Sequence, residues 1–169
     1  MLILIGLRGS GKTTLGRLVG EATGRPFTDL DDLTAARLGF ADASAALRTH
    51  GIEAFRAAEL EALREFLASP VRDHILSLGG GTPTIPEVPE LLKPYTVVYL
   101  RAQPDALQQR LREEPCQRPS LLGCDPISEV PAIFAQRDPL YRAIATHTID
   151  CDNQPRDAVV RMLAALLGA

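Results

Sequence analysis

One glycine-rich segment near the start of the chain has the residue types needed to hold a nucleotide phosphate. Gly6-Leu7-Arg8-Gly9-Ser10-Gly11-Lys12-Thr13 fits the pattern G-x-x-x-x-G-K-[ST]. The glycines let the backbone turn tightly and point several N–H groups into one concavity, next to the N-terminus of the following helix. Lys12 would reach the β- and γ-phosphates, and the Thr13 hydroxyl is a suitable ligand for Mg²⁺. Nucleotide contacts are expected at Gly9, Ser10, Gly11, Lys12, Thr13 and Thr14.

A chance match to this pattern is the alternative interpretation. It is disfavoured by the context, because the apolar run of residues 2–5 precedes the segment and an amphipathic stretch over 12–23 follows it. A buried strand, a glycine loop and a helix are the setting that a phosphate-binding loop requires.

Acidic residues follow the second apolar run and not the third. Asp29 and Asp31 come after a short predicted strand near 26–28, and residues two apart in an extended segment point the same way, so both would face one site. Capping of a helix by either carboxylate is the alternative. The third run, 74–78, leads into Gly79-Gly80-Gly81, where an ATPase motor normally carries acidic residues, and the guanine motif Asn-Lys-x-Asp does not occur. A kinase acting on a small metabolite is therefore favoured.

The three consecutive glycines indicate a second binding region. Open α/β sheets bind their ligands at the carboxyl ends of the strands, and glycine allows a ligand to approach the backbone closely. A plain tight turn is the alternative for Gly79-Gly80-Gly81, although three glycines are more than a turn requires.

The elements that would position these residues alternate short apolar runs with longer helical stretches, which is typical of a parallel sheet covered by helices. Strands are predicted at 2–5, 26–28, 74–78, 96–100 and 146–150. Helices are predicted at 12–23, 41–48, 52–68, from 104 onwards, at 127–145 and at 156–167, with a break at His50-Gly51. The segment 115–126 is rich in Pro and Gly and is predicted to be a mobile loop. The pattern indicates one α/β domain with five strands.

Composition excludes several classes of protein. The 169 residues suit a single domain, and a net charge of −3 argues against general affinity for nucleic acid. Cys116, Cys124 and Cys151 are odd in number and lack CxxC spacing, so reduced thiols are favoured over a zinc site or a disulfide framework, with an approach of Cys116 to Cys124 left open. No apolar run is long enough to cross a membrane, and no signal segment is recognised, so the cytoplasm is expected.

Six motifs in this order resemble those of shikimate kinases, and the resemblance covers nearly the whole chain. They are the phosphate loop; Asp29-Leu30-Asp31, similar to D-x-D; residues 51–59, similar to G-x-x-x-F-R-x-x-E; Leu78-Gly79-Gly80-Gly81, similar to L-G-G-G; Arg118-Pro119 with Leu121-Leu122, similar to the R-P-L-L of the lid; and residues 137–141, similar to R-x-P-L-Y. The chain departs from the lid motif by one inserted residue, Ser120.

The resemblance implies a three-layer P-loop fold whose five parallel strands lie in the order 2-3-1-4-5. It also implies a mobile lid at about 112–126 and a substrate-binding region at about 29–62. The implied reaction is transfer of the γ-phosphoryl group of ATP to the 3-hydroxyl of shikimate, in the biosynthesis of aromatic amino acids. Mg²⁺ is the implied cofactor, the implied partners are ATP and shikimate alone, and a monomer is expected.

The resemblance also implies roles for individual residues. Lys12, Asp31 and Arg118 would be catalytic, with Arg118 closing over the phosphates with the lid. Shikimate would be bound by Asp31, Arg56, Gly79, Gly80, Gly81 and Arg137. Mg²⁺ would be held by Thr13 and, through water, by Asp29. Arg110 and Asn153, in the loop 152–155, would lie on the adenine side.

Chemistry agrees with a carboxylate substrate, because two guanidinium groups match a carboxylate where lysine does not. For Arg56 or Arg137 taken singly, a salt bridge at the surface or within a helix remains an equal alternative. Two other functions stay open at this point: a gluconate-type kinase, and a relative that binds nucleotide without catalysis.

Overall fold

Five parallel strands form one sheet in the computed structural model, which describes residues 1–70, 73–113, 125–152 and 154–168. The strands are β1 (Leu2–Ile5), β2 (Phe27–Asp29), β3 (Ile75–Ser77), β4 (Thr96–Arg101) and β5 (His147–Asp150). Their order is β2-β3-β1-β4-β5, as predicted. β1 lies at the centre and pairs with β3 on one side and β4 on the other, which explains why all four of its residues are apolar and buried.

Seven α-helices lie in the described part of the chain: six between consecutive strands, and the last after β5. They are α1 (Lys12–Thr23), α2 (Leu30–Arg37), α3 (Ala43–Ala68), α4 (Val88–Leu92), α5 (Pro104–Glu113), α6 (Val130–Ile144) and α7 (Arg156–Gly168). α3 is interrupted at Gly51, whose φ of 78° and ψ of 170° are not helical, so the predicted break is confirmed. A short 3-10 turn, Thr82–Thr84, follows the three glycines.

The side chains of the central strands β1, β3 and β4 alternate between two apolar cores, one on each face of the sheet. Leu2 and Leu4 of β1 belong to a core closed by α1 and α7. Ile3 and Ile5 belong to a larger core that includes residues of α3, α5 and α6. The molecule therefore has helix, sheet and helix layers, and the carboxyl ends of β1, β2 and β3 meet at one edge.

The structure corrects several predicted boundaries. α2, α4 and the 3-10 turn were not predicted, and α6 begins at Val130 where the sequence indicated 127. The prediction of an extended segment through Asp31 was wrong, because Asp29 ends β2 and Asp31 already lies in the first turn of α2. Among the described residues no helix has both the length and the apolar composition needed to cross a bilayer.

Gly16 of α1 faces β2 at a point where a side chain has no room. A Cβ at this position would overlap the Phe27 ring, with Cδ2 at 2.7 Å, and would lie 3.2 Å from Leu4 Cδ1. Alanine favours a helix over glycine by about 1 kcal/mol, whereas overpacking costs about 1–3 kcal/mol. We therefore expect Gly16→Ala to lower the free energy of unfolding by about 1 kcal/mol in urea titrations.

Gly168→Ala is the matched control, because a Cβ at that position of α7 has no neighbour within 4 Å. Its free energy of unfolding should stay close to that of the wild type. A Gly16→Ala protein as stable as the wild type would show that Phe27 gives way freely, contrary to this description of the packing.

Candidate active site

One open cavity of about 800 Å³ lies at the carboxyl edge of the sheet. Every predicted site residue that the structure describes lines this cavity: Gly9, Ser10, Gly11, Lys12, Thr13, Thr14, Asp29, Asp31, Arg56, Gly79, Gly80, Gly81, Arg110 and Arg137. These residues come from segments more than 100 positions apart in the chain. The sheet brings them together, because parallel strands deliver their carboxyl ends to the same edge.

The phosphate loop connects β1 to α1. Gly9 and Gly11 have φ values of 80° and 88°, in the left-handed region that favours glycine. No side chain of the described residues caps the N-terminus of α1, so its first N–H groups face the cavity and favour an anion. The Lys12 ammonium donates to the carbonyl oxygens of Gly6 and Leu7, at 2.9 and 3.0 Å, and therefore lies over the loop.

Thr13 and Asp29 face each other at the edge of the loop. The Thr13 hydroxyl donates to Asp29 Oδ2 at 2.6 Å, and Asp29 Oδ1 accepts from the backbone N–H of Asp31 at 3.1 Å. Asp29 thus caps α2, so the capping alternative is correct, and the turn of the helix brings Asp31 to the same cavity. Burial raises the pKa of Asp29; the Thr13 hydroxyl opposes this effect, and the Asp31 carboxylate adds to it.

The donor set at this point suits a hard cation such as Mg²⁺. A hydroxyl and a carboxylate 2.6 Å apart are oxygen ligands of the kind that Mg²⁺ prefers. The described residues contain no group of three or more His, Cys, Asp or Glu side chains that would hold a metal by themselves. A cation here would therefore also need oxygens from a nucleotide and from water, as Mg²⁺ commonly does in kinases.

Arg56 and Glu59 define the opposite end of the cavity. Glu59 is fully buried on α3, accepts a charged hydrogen bond from Arg56 one turn earlier and accepts from the Thr82 hydroxyl at 2.5 Å. The guanidinium lies against the backbone of Gly81, where a Cβ would overlap it. Burial raises the pKa of Glu59, whereas Arg56 and Thr82 oppose that change. The pair fixes the direction in which Arg56 presents its remaining donors.

Two residues of α6 meet the backbone of the glycine segment. Arg137 Nη1 donates to the Gly80 carbonyl oxygen at 2.8 Å, and the Tyr141 hydroxyl donates to the same oxygen. Tyr141 is fully buried, while Arg137 is partly exposed and lines the cavity. Arg56 and Arg137 therefore flank residues 79–81 and together form a positively charged wall.

Arg110 lies on the other side of the phosphate loop. Its guanidinium donates to the carbonyl oxygens of Gly9, at 3.3 Å, and of Cys151, at 3.0 Å, and so joins α5 to the segment after β5. Gln154 lines the same part of the cavity. Arg118, Ser120, Asn153, Cys116, Cys124 and most of the predicted lid at 112–126 lie outside the described residues.

Three site residues were missed by the sequence interpretation. Glu59 belongs to the motif over 51–59, and its spacing of three from Arg56 is a signal for a helical ion pair. Thr82 directly follows the glycine motif and Tyr141 is the last residue of the motif over 137–141, but neither position indicates a partner, because the partners lie 23 and 61 residues away.

Comparisons with known proteins agree with this geometry. The family model described as shikimate kinase matches residues 8–167. A curated shikimate kinase of Mycobacterium avium is 40% identical over 167 residues, which are 99% of this chain and 93% of the relative. The solved shikimate kinase from Acinetobacter baumannii in complex with shikimate has a TM-score of 0.86 and 30% identity, covering 98% of this chain and 91% of that chain. The family predicted from the six motifs is confirmed.

A gluconokinase from Sinorhizobium meliloti is also similar in structure. Its TM-score is 0.61 at 20% identity, and the match covers 99% of this chain and 90% of that chain. A likeness at this identity shows a shared fold and leaves the acceptor open.

The raised pKa of Asp29 makes the stability of the folded chain depend on pH. Between the unfolded value near 3.8 and the higher folded value, the folded chain binds more protons than the unfolded chain, so stability falls as pH rises through this window. Asn cannot ionise. We therefore expect the free energy of unfolding of Asp29→Asn minus that of the wild type to increase, that is, the variant to gain relative stability, as the pH rises from about 4 to about 7 in urea titrations.

Asp42→Asn is the control for this measurement. Asp42 also caps a helix, accepting from the Ala45 N–H at 2.8 Å, but it is exposed. The control separates the loss of a capping carboxylate from the effect of burial. A relative stability of Asp29→Asn that falls with rising pH would contradict the assigned direction.

Proposed function

This chain belongs to the shikimate kinase family, and we propose that its cavity transfers the γ-phosphoryl group of ATP to the 3-hydroxyl of shikimate. One observation carries the proposal: a phosphate loop and a pair of arginines line the same cavity, about 800 Å³ in volume. The loop suits the phosphates of ATP, and the arginines suit the carboxylate of the acceptor. A single cavity lets donor and acceptor lie next to each other, as direct transfer requires.

The acceptor is held at the end formed by α2, α3 and α6. Arg56 and Arg137 bind its carboxylate, and the backbone of Gly79, Gly80 and Gly81 lies against its ring. Glu59 keeps the Arg56 guanidinium in place, so the charge is oriented before the substrate arrives. Asp31 binds the ring hydroxyls and accepts the proton of the attacking one, since it lines the cavity and its Oδ1 would lie 2.6 Å from a Cβ on Gly79.

Phosphoryl transfer depends mainly on positioning and on stabilisation of negative charge. Lys12 and the first N–H groups of α1 neutralise the transferring group, as assigned from the phosphate loop. Arg118 is proposed to add a further positive charge when the lid, about 112–126, closes over the phosphates. Arg110 and Asn153 are proposed to contact the adenine side of the nucleotide, together with Gly9, Ser10, Gly11, Thr13 and Thr14 along the loop.

Mg²⁺ is the proposed cofactor. Thr13 would ligate it directly and Asp29 through water, which agrees with the oxygen donors that these residues present. When bound, the cation would neutralise charge on the β- and γ-phosphate oxygens.

The domain content, oligomeric state and location of the chain are proposed on the same basis. The whole chain, 1–169, is proposed to be one kinase domain with its substrate region at about 29–62. A monomer is proposed because one chain supplies both ends of the cavity. ATP as the phosphoryl donor supports a cytoplasmic enzyme, and the net charge of −3 supports partners other than nucleic acid.

Transfer to a different hydroxyl acceptor is the second candidate, since the fold is shared with a gluconokinase. A coupled assay of ADP release with shikimate, gluconate and nucleoside monophosphates distinguishes the two. We expect turnover with shikimate and only background rates with the other acceptors. Turnover with gluconate and none with shikimate would reject the proposed acceptor.

Lys12→Ala is the control for the same assay and tests whether the cavity is catalytic at all. It should remove turnover while circular dichroism shows an intact fold, because it takes away the charge that the loop presents to phosphate. An unchanged rate would show that the chain's ADP release does not depend on the phosphate loop.

Arg56→Ala tests the carboxylate assignment. A hydrogen bond to a charged group contributes about 1.5–3 kcal/mol, so we expect the KM for shikimate to rise about 10- to 100-fold. The KM for ATP should stay within about twofold. Steady-state kinetics with each substrate varied in turn gives both values.

Arg64→Ala is a matched control on the same helix. Arg64 also pairs with a glutamate three residues away, Glu61, but this pair is exposed at 45% and 49%. Both KM values should stay unchanged in the control. Equal rises of the two KM values in Arg56→Ala would contradict a role specific to the acceptor.

A further inference from the structure

Helix α6 presents two rows of side chains to two different parts of the molecule. Arg137 and Tyr141, four residues apart, both donate to the Gly80 carbonyl oxygen. Phe134 and Asp138, also four residues apart, form the neighbouring row and contact Arg101 at the end of β4. Because both rows belong to one helix, the contact of one row with β4 also fixes the position of the row that donates to Gly80.

Asp138 makes the polar part of this contact with both carboxylate oxygens. Its Oδ1 accepts from the Tyr99 hydroxyl and from Arg101 Nε, each at 2.9 Å, and its Oδ2 accepts from Arg142 Nε at 2.8 Å. Asp138 and Arg101 are each only 14% exposed. Although burial acts in the opposite direction, the donors from Arg142, Arg101 and Tyr99 lower the pKa of Asp138, which stays ionised at neutral pH.

The contact continues through the core to the substrate side. The rings of Tyr99 and Tyr141 meet edge to face, with centroids 5.2 Å apart. Both rings are almost fully buried. Tyr99 therefore touches Asp138 with its hydroxyl and Tyr141 with its ring, and Tyr141 in turn donates to Gly80.

α6 needs such an anchor because its backbone is weakened at this point. Pro139 lies inside the helix and has no N–H, so the backbone hydrogen bond that would join it to residue 135 is missing. Arg137 and Asp138 directly precede this proline. Side-chain contacts to β4 are placed where the helix has lost one of its own bonds.

We propose that Asp138 is a positioning residue for acceptor binding: by fixing α6 to β4 it sets Arg137 and Tyr141 on the Gly80 carbonyl. Arg137 then presents its remaining donors to the carboxylate of the acceptor. This inference rests on the proposed function, because it takes Arg137 and residues 79–81 as the acceptor site. Misplacement of a binding group by about 1 Å is costly in such a site, even when the altered residue does not touch the substrate.

Steady-state kinetics on Asp138→Ala tests the inference. We expect the KM for shikimate to rise about tenfold while the KM for ATP changes by less than about twofold. Asp138→Asn keeps an oxygen that accepts from Tyr99 and Arg101 but loses the charge, so it should show a smaller rise and a partial recovery. If Asp138→Ala does not fold, Asp138→Asn compared with the wild type decides the outcome.

Two variants separate positioning from general effects on the fold. Arg142→Ala removes the one donor to Asp138 that belongs to α6 itself and leaves the contact with β4 in place, so both KM values should stay unchanged. Leu163→Ala destabilises the apolar core that α1 and α7 close, on the opposite face of the sheet from α6. It should lower the melting temperature without a selective change in the KM for shikimate.

Arg137→Ala distinguishes failure of the inference from failure of the proposed function. If Arg137→Ala raises the KM for shikimate but neither Asp138 variant does, or if the Asp138 variants raise both KM values equally, Asp138 is only structural and the inference is overturned. If Arg137→Ala leaves the KM for shikimate unchanged, the assigned acceptor site is wrong, and the positioning role fails with it.

Discussion

The missing side chain of Gly79 is the constraint on which the acceptor end of the cavity depends. A Cβ there would lie 2.6 Å from Asp31 Oδ1 and 2.5 Å from Glu59 Oε1, so any larger residue would displace one carboxylate or the other. Because Asp31 belongs to α2 and Glu59 to α3, this one position lets two helices and the segment after β3 meet. Arg56 depends on the same contact, since the buried Glu59 holds it against Gly81.

The cavity separates its charges along its length. Lys12 and the N-terminus of α1, which no described side chain caps, make the phosphate end positive, and Arg56 and Arg137 do the same at the acceptor end. Asp29 accepts from Thr13 at the phosphate end, and Asp31 lies against Gly79 at the other end. In the proposed function, this arrangement would hold two anionic substrates close together with a carboxylate near the reacting hydroxyl, which is the kind of preorganised electrostatics that phosphoryl transfer needs.

The acceptor end is connected to the apolar core through α6. Buried tyrosines from β4 and α6 pack against each other in the larger core, and one of them reaches the glycine segment with its hydroxyl. The orientation of the site is thus determined by elements that also hold the fold together. Close packing transmits small shifts over such distances, which is the physical basis of the positioning role proposed for Asp138.

The local features of this protein could be predicted from the order of its residues. Its apolar runs predicted the five strands, its glycine pattern predicted the phosphate loop, and Gly51 marked the break in α3. These features are predictable because backbone preference and burial depend on short stretches of sequence. Three polar contacts are visible only in the folded chain: Asp29 caps α2, Glu59 is buried between Arg56 and Thr82, and Asp138 joins α6 to β4. Each of these polar groups looks like a surface or turn residue in sequence, and its role depends on partners that packing of the sheet and helices brings near.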